Sequence, residues 1–190
     1  MIPSAENWFM LNDQVISEGA IGIVLTGDIQ FETVDDASKY TLETLKEFNA
    51  IYIGGGNTWS LIQELKDSGF AAAMIQYIEG GGQVYGGSAG AIIMGKKINT
   101  HDDENKMGLE DVSGFNLLGN FSVACHFKDE QNDRFKKWVV DNNSPIFCLT
   151  EETGLVIENS SALCVGTKPC VIYLADGTKR ELNPEESFNL

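Results

Sequence analysis

Short apolar runs alternate along this chain with segments in which apolar residues recur every three or four positions. Runs of β-forming residues predict strands, and the segments with helical spacing predict amphipathic helices. The predicted strands cover residues 20–26, 50–53, 83–85, 121–127 and 146–149. The predicted helices cover 6–18, 35–48, 58–69 and 70–79, and a further one carries Arg134, Phe135, Trp138 and Val139. Strands that alternate with helices favour right-handed crossovers, so we expect an α/β fold with a mainly parallel sheet.

The last quarter of the chain has a different pattern. Short strand-like runs at 155–158, 162–165 and 170–174 are separated by the turn-forming segments 166–169 and 176–178. This spacing predicts an antiparallel ribbon at the end of the sheet. Because no linker or repeat interrupts the chain, we expect residues 1–190 to form one domain.

Composition and charge exclude several classes of partner. The chain of 190 residues carries a net charge of −15, and its only arginines are Arg134 and Arg180. Nucleic acid and anionic membranes are therefore not expected partners, because no basic run exists to replace their counterions. The four cysteines lack the spacing of a metal site and most lie in apolar runs, which predicts reduced core thiols in a cytoplasmic protein. No apolar segment is long enough to span a bilayer.

The residues Gly86-Gly87-Ser88-Ala89-Gly90 follow a strand and lead directly into a helix. This is the G-x-S-x-G pattern in the context of a nucleophile elbow, where a sharp turn exposes the serine hydroxyl. Glycines on both sides leave room for close approach of other backbone. The pattern predicts that Ser88 is a catalytic nucleophile, with the N–H of Ala89 as one donor to an oxyanion.

A serine nucleophile needs a base and a group that orients the base. His126 lies near the end of a predicted strand, at the sheet edge expected for Ser88, whereas the other histidine, His101, lies in a polar acidic loop and is expected at the surface. The carboxylates Glu151 and Glu152 follow the next strand, and either can complete the set. The loop 54–56 ends another strand and predicts a second oxyanion donor.

The order serine, histidine, glutamate separates this chain from two better-known classes. An α/β-hydrolase places its acid before its histidine, and no histidine follows His126. A cysteine amidotransferase has cysteine in the elbow, where this chain has Ser88. A cysteine amidotransferase also carries a His-x-Glu pair, but in this chain the residue two positions after His126 is Lys128.

Four stretches resemble peptidase family S51, the serine peptidases that include aspartyl dipeptidase (dipeptidase E) and cyanophycinase. These are Gly54-Gly55-Gly56-Asn57-Thr58, Gly87-Ser88-Ala89-Gly90-Ala91, His126, and Glu151-Glu152-Thr153-Gly154-Leu155. The resemblance implies a three-layer, class I glutamine amidotransferase-like fold. It implies that Ser88 is the nucleophile, His126 the base and Glu151 the acid, with Glu152 as the alternative acid. Gly55, Gly56 and Asn57 would contact the oxyanion or substrate, and no metal or organic cofactor is implied.

Two departures from the family pattern bear on partners and substrate. Family members reach an Ile-Pro-x-Ala motif after a first strand, a helix and most of a second strand, but this chain opens with that motif at residues 2–5. We expect a shortened or misassigned start, and an exposed sheet edge that is covered by a partner subunit, as in a homodimer, or by another segment. An aspartyl dipeptidase also needs a cation for an acidic side chain, and Arg134 is the candidate.

The sequence therefore predicts a serine-type peptidase that hydrolyses a small peptide. Two alternatives remain open: a catalytically impaired relative that binds or scaffolds, and a small-molecule esterase or amidase that uses the same serine.

Overall fold

The computed structural model describes residues 8–11, 14–17 and 32–190. Near the N-terminus it has two antiparallel strands, β1 (Trp8–Leu11) and β2 (Gln14–Ser17). The helix predicted over 6–18 is therefore wrong at these residues. The residues of these two segments pair across neighbouring strands, although the spacing of their apolar positions also fits a helix. The strand predicted over 20–26 lies outside the described residues.

A parallel strand pair with its connecting helices carries the first half of the described fold. Strand β3 (Ala50–Ile53) pairs in parallel with β4 (Gln83–Gly86). Helices α2 (Thr58–Asp67) and α3 (Phe70–Glu79) connect the two strands, in agreement with the predicted elements. Their inward faces bury Leu61, Leu65 and Met74 in one hydrophobic cluster. The carboxyl ends of β3 and β4 therefore lie side by side, which brings the two glycine loops together.

The helix predicted over 35–48 is divided in two. A 3₁₀ turn covers Ala37–Lys39, and the one-turn helix α1 covers Leu42–Leu45. Between them Tyr40 is extended, and Thr41 caps α1 by exchanging hydrogen bonds with Thr44. A polar capping residue inside an apolar repeat starts a new helix, which the repeat alone does not reveal.

A second sheet holds four strands, in the order 179–182, 170–173, 146–148 and 122–124. Strand β5 (Ser122–Ala124) pairs in parallel with β6 (Ile146–Cys148), whereas β9 (Cys170–Tyr173) and β10 (Lys179–Leu182) are antiparallel to their neighbours. Helix α5 (Asn132–Asn142) makes the crossover from β5 to β6 and buries Phe135 and Val139. This second parallel unit brings the segments after β5 and β6 to one edge.

A third sheet is antiparallel throughout. Strands β7 (Thr153–Glu158) and β8 (Ser161–Gly166) form a hairpin, and β11 (Ser187–Asn189) pairs with β8. Asn159 and Ser160 both have positive φ, at 50° and 60°, as a two-residue type I′ turn requires.

The architecture is therefore α/β, with helices connecting parallel strands. The short helix α4 (Ala89–Ile92) follows β4 directly. Among the described strands the parallel pairs are β3–β4 and β5–β6, and the remaining ladders are antiparallel. The predicted runs at 155–158 and 162–165 pair with each other as the hairpin β7–β8, whereas the run at 170–174 joins the other sheet through an antiparallel pairing of β9 with β6.

Candidate active site

Ser88 occupies the turn between β4 and α4. Its backbone has φ 50° and ψ −116°, a conformation that L-residues rarely adopt. Such strain costs about 1–3 kcal/mol and persists only where the surrounding structure holds it. The predicted elbow is thus present as a strand, a sharp turn and a helix.

Close backbone contact joins this elbow to the Gly54–Gly56 loop. The N–H of Gly90 donates to the carbonyl of Gly54 at 3.1 Å. A Cβ atom at Gly90 would lie only 2.0 Å from the Ile53 carbonyl oxygen, so a larger residue cannot fit without moving the backbone. Gly55 approaches so closely that a Cβ there would lie 3.1 Å from the Cβ of Ser88. The loop therefore forms one wall beside the serine.

His126 reaches Ser88 from the segment after β5. Its Nε2 lies 2.8 Å from the Oγ of Ser88. The residue has φ 59°, so the chain turns sharply where β5 has ended, and the Phe127 N–H then donates to the Leu149 carbonyl. This turn directs the imidazole toward the elbow.

Glu151 contacts the other nitrogen of the same ring, His126 Nδ1. A carboxylate only accepts hydrogen bonds, so Nδ1 carries the proton and Nε2 presents a lone pair to the Ser88 hydroxyl. The neighbouring Glu152 instead lies 2.5 Å from Lys168 Nζ. Of the two carboxylates left open by the sequence, Glu151 is the one that contacts the imidazole.

The cluster is open to solvent. The side chains of His126 and Glu151 are 56% and 59% exposed, so a substrate can reach the imidazole directly. Water also competes for the carboxylate, which limits how strongly Glu151 can act on the ring.

Cys125 lies beneath the site with its Sγ 3.6 Å from the Ser88 carbonyl oxygen. Burial, assisted by the negative charge of Glu151, raises the pKa of this thiol to about 12. A thiol that stays neutral is a poor nucleophile. The hydroxyl of Ser88 is therefore the better candidate to attack a substrate, although Cys125 is adjacent to His126 in the chain.

The backbone around the elbow leaves a donor for an oxyanion. The N–H groups of Gly87 and Gly90 donate to Ile53 and Gly54. Within residues 32–190 no acceptor is found for the N–H of Ala89, at the first residue of α4. This amide can donate to the oxygen of a tetrahedral intermediate.

Two residues expected to contact substrate have contacts within the protein. The side chain of Asn57 caps α2 by accepting from Ser60 N–H at 3.0 Å, and its Nδ2 donates to the Glu104 carbonyl. The guanidinium of Arg134 donates to Asp102 at 2.6 Å and to the Thr100 carbonyl. A substrate carboxylate would have to compete with Asp102 for this cation.

His101 is not at the surface as expected from its acidic loop. Its side chain is only 9% exposed and lies edge-on to Trp59, with ring centroids 5.6 Å apart. Asp103, which the sequence did not single out, accepts from the N–H and the hydroxyl of Thr58 at 2.7 and 2.8 Å. Loop composition alone gives no signal for this contact, since Thr58 is 45 positions away.

Within residues 8–11, 14–17 and 32–190 no group of three or more His, Cys, Asp or Glu side chains is arranged to hold a metal ion. Over the same residues, no helix has both the length and the apolarity needed to cross a membrane.

Comparison with known proteins gives a consistent set of relatives. The model of peptidase family S51 matches residues 27–165. Peptidase E of Salmonella arizonae is 35% identical over 146 residues, which cover 70% of this chain and 62% of that protein. A probable alpha-aspartyl dipeptidase of Drosophila melanogaster is 26% identical over 155 residues, which cover 75% of this chain and 63% of that protein.

A solved structure is similar as well. The crystal structure of a putative peptidase E protein from Listeria monocytogenes superposes with a TM-score of 0.57 at 25% identity, covering 69% of this chain and 68% of that one. The matches to the Salmonella and Drosophila proteins span less than two thirds of either protein's length.

Proposed function

Because the chain belongs to peptidase family S51, we propose that it is a serine-type peptidase that hydrolyses small peptides in the manner of a dipeptidase. The observation that carries the proposal is the continuous contact from Ser88 Oγ through His126 to Glu151, at a strained elbow. The names of the relatives, peptidase E and probable alpha-aspartyl dipeptidase, support the substrate class.

The proposed reaction starts with the Ser88 hydroxyl. His126 Nε2 takes the hydroxyl proton as Oγ bonds to the carbonyl carbon of the scissile peptide. The carbonyl oxygen becomes an oxyanion, which accepts hydrogen bonds from the Ala89 N–H and from Gly55 or Gly56 in the neighbouring loop.

The second half of the reaction returns the proton. The imidazolium gives its Nε2 proton to the leaving amine, and the C–N bond breaks to leave an ester on Ser88. Water then attacks the ester carbonyl as His126 Nε2 takes one of its protons; the bond between the carbonyl carbon and Ser88 Oγ breaks, the imidazolium returns the proton to Oγ, and the acid product leaves. Glu151 keeps the proton on Nδ1 throughout and stabilises the imidazolium.

The substrate side is a finer proposal. Arg134 is the candidate partner for an acidic side chain, and Asn57 and Gly56 are candidate contacts beside the elbow. Arg134 would exchange its ion pair with the exposed Asp102 for one with the substrate carboxylate. Ion pairs near the surface contribute little free energy, so this exchange costs little.

The remaining features of the proposal concern the whole protein. We propose one domain over residues 1–190 with a three-layer, class I glutamine amidotransferase-like fold, as a homodimer. Four free cysteines, three of them buried, support a reducing compartment such as the cytoplasm. The net charge of −15 argues against nucleic acid as a partner.

The test compares wild type with Ser88→Ala on a panel of Asp-X dipeptides, other dipeptides and p-nitrophenyl esters. We expect dipeptide hydrolysis by wild type and a loss of about 10⁴-fold or more in the variant. Labelling of Ser88 with a fluorophosphonate provides an independent readout. Turnover of esters alone would favour the esterase alternative, and a folded protein with an unreactive Ser88 would favour a binding or scaffolding relative.

A further inference from the structure

The loop that contains His101 is attached to the start of α2 at several points. Asp103 Oδ2 accepts from both the N–H and the hydroxyl of Thr58. The Asp103 carbonyl accepts from the indole N–H of Trp59 at 3.2 Å, and the Glu104 carbonyl accepts from Asn57. These bonds hold the first turn of α2, which begins directly after the Gly54–Gly56 loop.

The imidazole of His101 shapes this attachment. Its Nδ1 accepts from the backbone N–H of Asp103 at 2.9 Å, which closes a turn and directs the Asp103 carboxylate toward Thr58. A nitrogen that accepts cannot carry the proton, so in the neutral ring the proton resides on Nε2. That Nε2 is buried and has no hydrogen-bond partner in the described part of the chain. The contact that orients Asp103 is therefore made by Nδ1.

The attachment leads to the serine within a few residues. Thr58 stands two positions after Gly56, and Gly55 packs against the Ser88 side chain. Gly54 accepts from Gly90 on the other side of the elbow. A shift of the first turn of α2 would consequently move the loop that we propose to supply an oxyanion donor.

We propose that His101 is a positioning residue that acts through Asp103 and Thr58 to hold the Gly54–Gly56 loop beside Ser88. Its kinetic consequence rests on the proposed peptidase function, whereas its structural consequence does not. His101 touches no reacting atom, so its loss affects the geometry of the transition state more than the binding of substrate.

The arrangement requires a neutral imidazole. A protonated Nδ1 could no longer accept the hydrogen bond from the Asp103 N–H. It would instead attract Asp103 Oδ2, which lies 3.1 Å away and accepts from Thr58 in the neutral arrangement. Burial lowers the pKa of His101, opposed by the charges of Asp103 and Asp102 and assisted by Arg134 from α5. The ring is thus neutral at physiological pH, and the attachment weakens only in acid.

The test uses the full chain with His101→Leu, which removes the acceptor, and His101→Asn, whose Oδ1 stands near the position of Nδ1 and does not titrate. The exposed Glu110→Gln in the same loop is the control. We expect His101→Leu to lower kcat about 10-fold with KM within about twofold, and His101→Asn to restore kcat to within about twofold of wild type. An unchanged kcat in folded His101→Leu overturns the proposal, and so does equal impairment of both variants.

A structural readout works without turnover. In a His126→Ala background, which removes the other imidazole, the amide resonances of Gly55 and Gly56 are followed by NMR as the pH is lowered. We expect them to shift together with the His101 ring in the histidine protein and to stay in place in His101→Asn. Glycine amides that do not respond while His101 titrates overturn the proposal even if His101→Leu fails to fold. An inactive wild type with responsive glycines would instead count against the peptidase function alone.

Discussion

Replacing Glu151 by glutamine tests whether the contact between carboxylate and imidazole works as proposed. The variant keeps the size of the side chain but removes the group that only accepts hydrogen bonds. An amide can turn its NH₂ toward Nδ1, which then becomes an acceptor and leaves the proton on Nε2. A protonated Nε2 cannot take the proton of the Ser88 hydroxyl.

The size of the effect follows from burial. A buried acid in such a triad is worth about 10⁴-fold in kcat. Here the Glu151 side chain is 59% exposed, so water replaces part of its action on the ring. We therefore expect a loss of about 10³-fold in kcat/KM, equivalent to about 4 kcal/mol of transition-state stabilisation.

The adjacent Glu152→Gln is the matched control. It breaks an ion pair with Lys168 in which both side chains are about half exposed, worth about 0–1 kcal/mol of folding free energy. Initial rates of dipeptide hydrolysis, measured by chromatography of the released amino acids, should match wild type within about twofold. Thermal unfolding by circular dichroism checks that both variants fold.

Two results would refute the reasoning. A larger loss in Glu152→Gln than in Glu151→Gln would show that Glu152, and not Glu151, is the acid. A Glu151→Gln protein within threefold of wild type, with Ser88→Ala inactive, would show that the imidazole needs no carboxylate.

Two further predictions concern the scaffold of the site. Gly90→Ala should lower the free energy of unfolding by about 2 kcal/mol or more in urea titrations, because its Cβ would lie 2.0 Å from the Ile53 carbonyl oxygen. The control Gly80→Ala should be tolerated, because Gly80 has a φ of −79° and an added Cβ would lie 3.4 Å from its nearest backbone oxygens. Partial burial raises the pKa of the Cys125 thiol from the ordinary value of 9.0 to about 12, so above about pH 9 the unfolded chain releases this proton first and stability falls. Between pH 7.5 and pH 10 wild type should lose about 1 kcal/mol more than Cys125→Ala, and equal losses would contradict the raised pKa of this thiol.

Local patterns determined the α/β class and the parallel units. Helix α3 (Phe70–Glu79) and strand β3 (Ala50–Ile53) follow the predicted spans, because a 3.6-residue or continuous apolar pattern reflects which face an element buries. The same patterns predicted that Ser88, His126 and the carboxylates at 151 and 152 lie at one edge, since the carboxyl ends of parallel strands meet there.

Patterns failed where the pairing of strands decides the structure. Trp8–Leu11 and Gln14–Ser17 pair as strands although their apolar spacing also fits a helix. Strand β9 (Cys170–Tyr173) joins the sheet through β6 instead of extending the hairpin β7–β8. The partner of β9 lies more than twenty residues away in the chain, so a local window does not contain it.

The sequence by itself determined which residue types stand at the ends of which strands, and hence the chemistry available at this edge. Only the tertiary structure decided which atoms meet. Glu151 and Glu152 are neighbours with the same side chain, yet one contacts His126 and the other Lys168. The residues around His101 have the polar composition of a surface loop, yet its side chain packs against Trp59 and is almost inaccessible to solvent. The direction of a side chain is set by the backbone torsions and by the distant segment that packs on it, and neither is encoded in the identity of its neighbours.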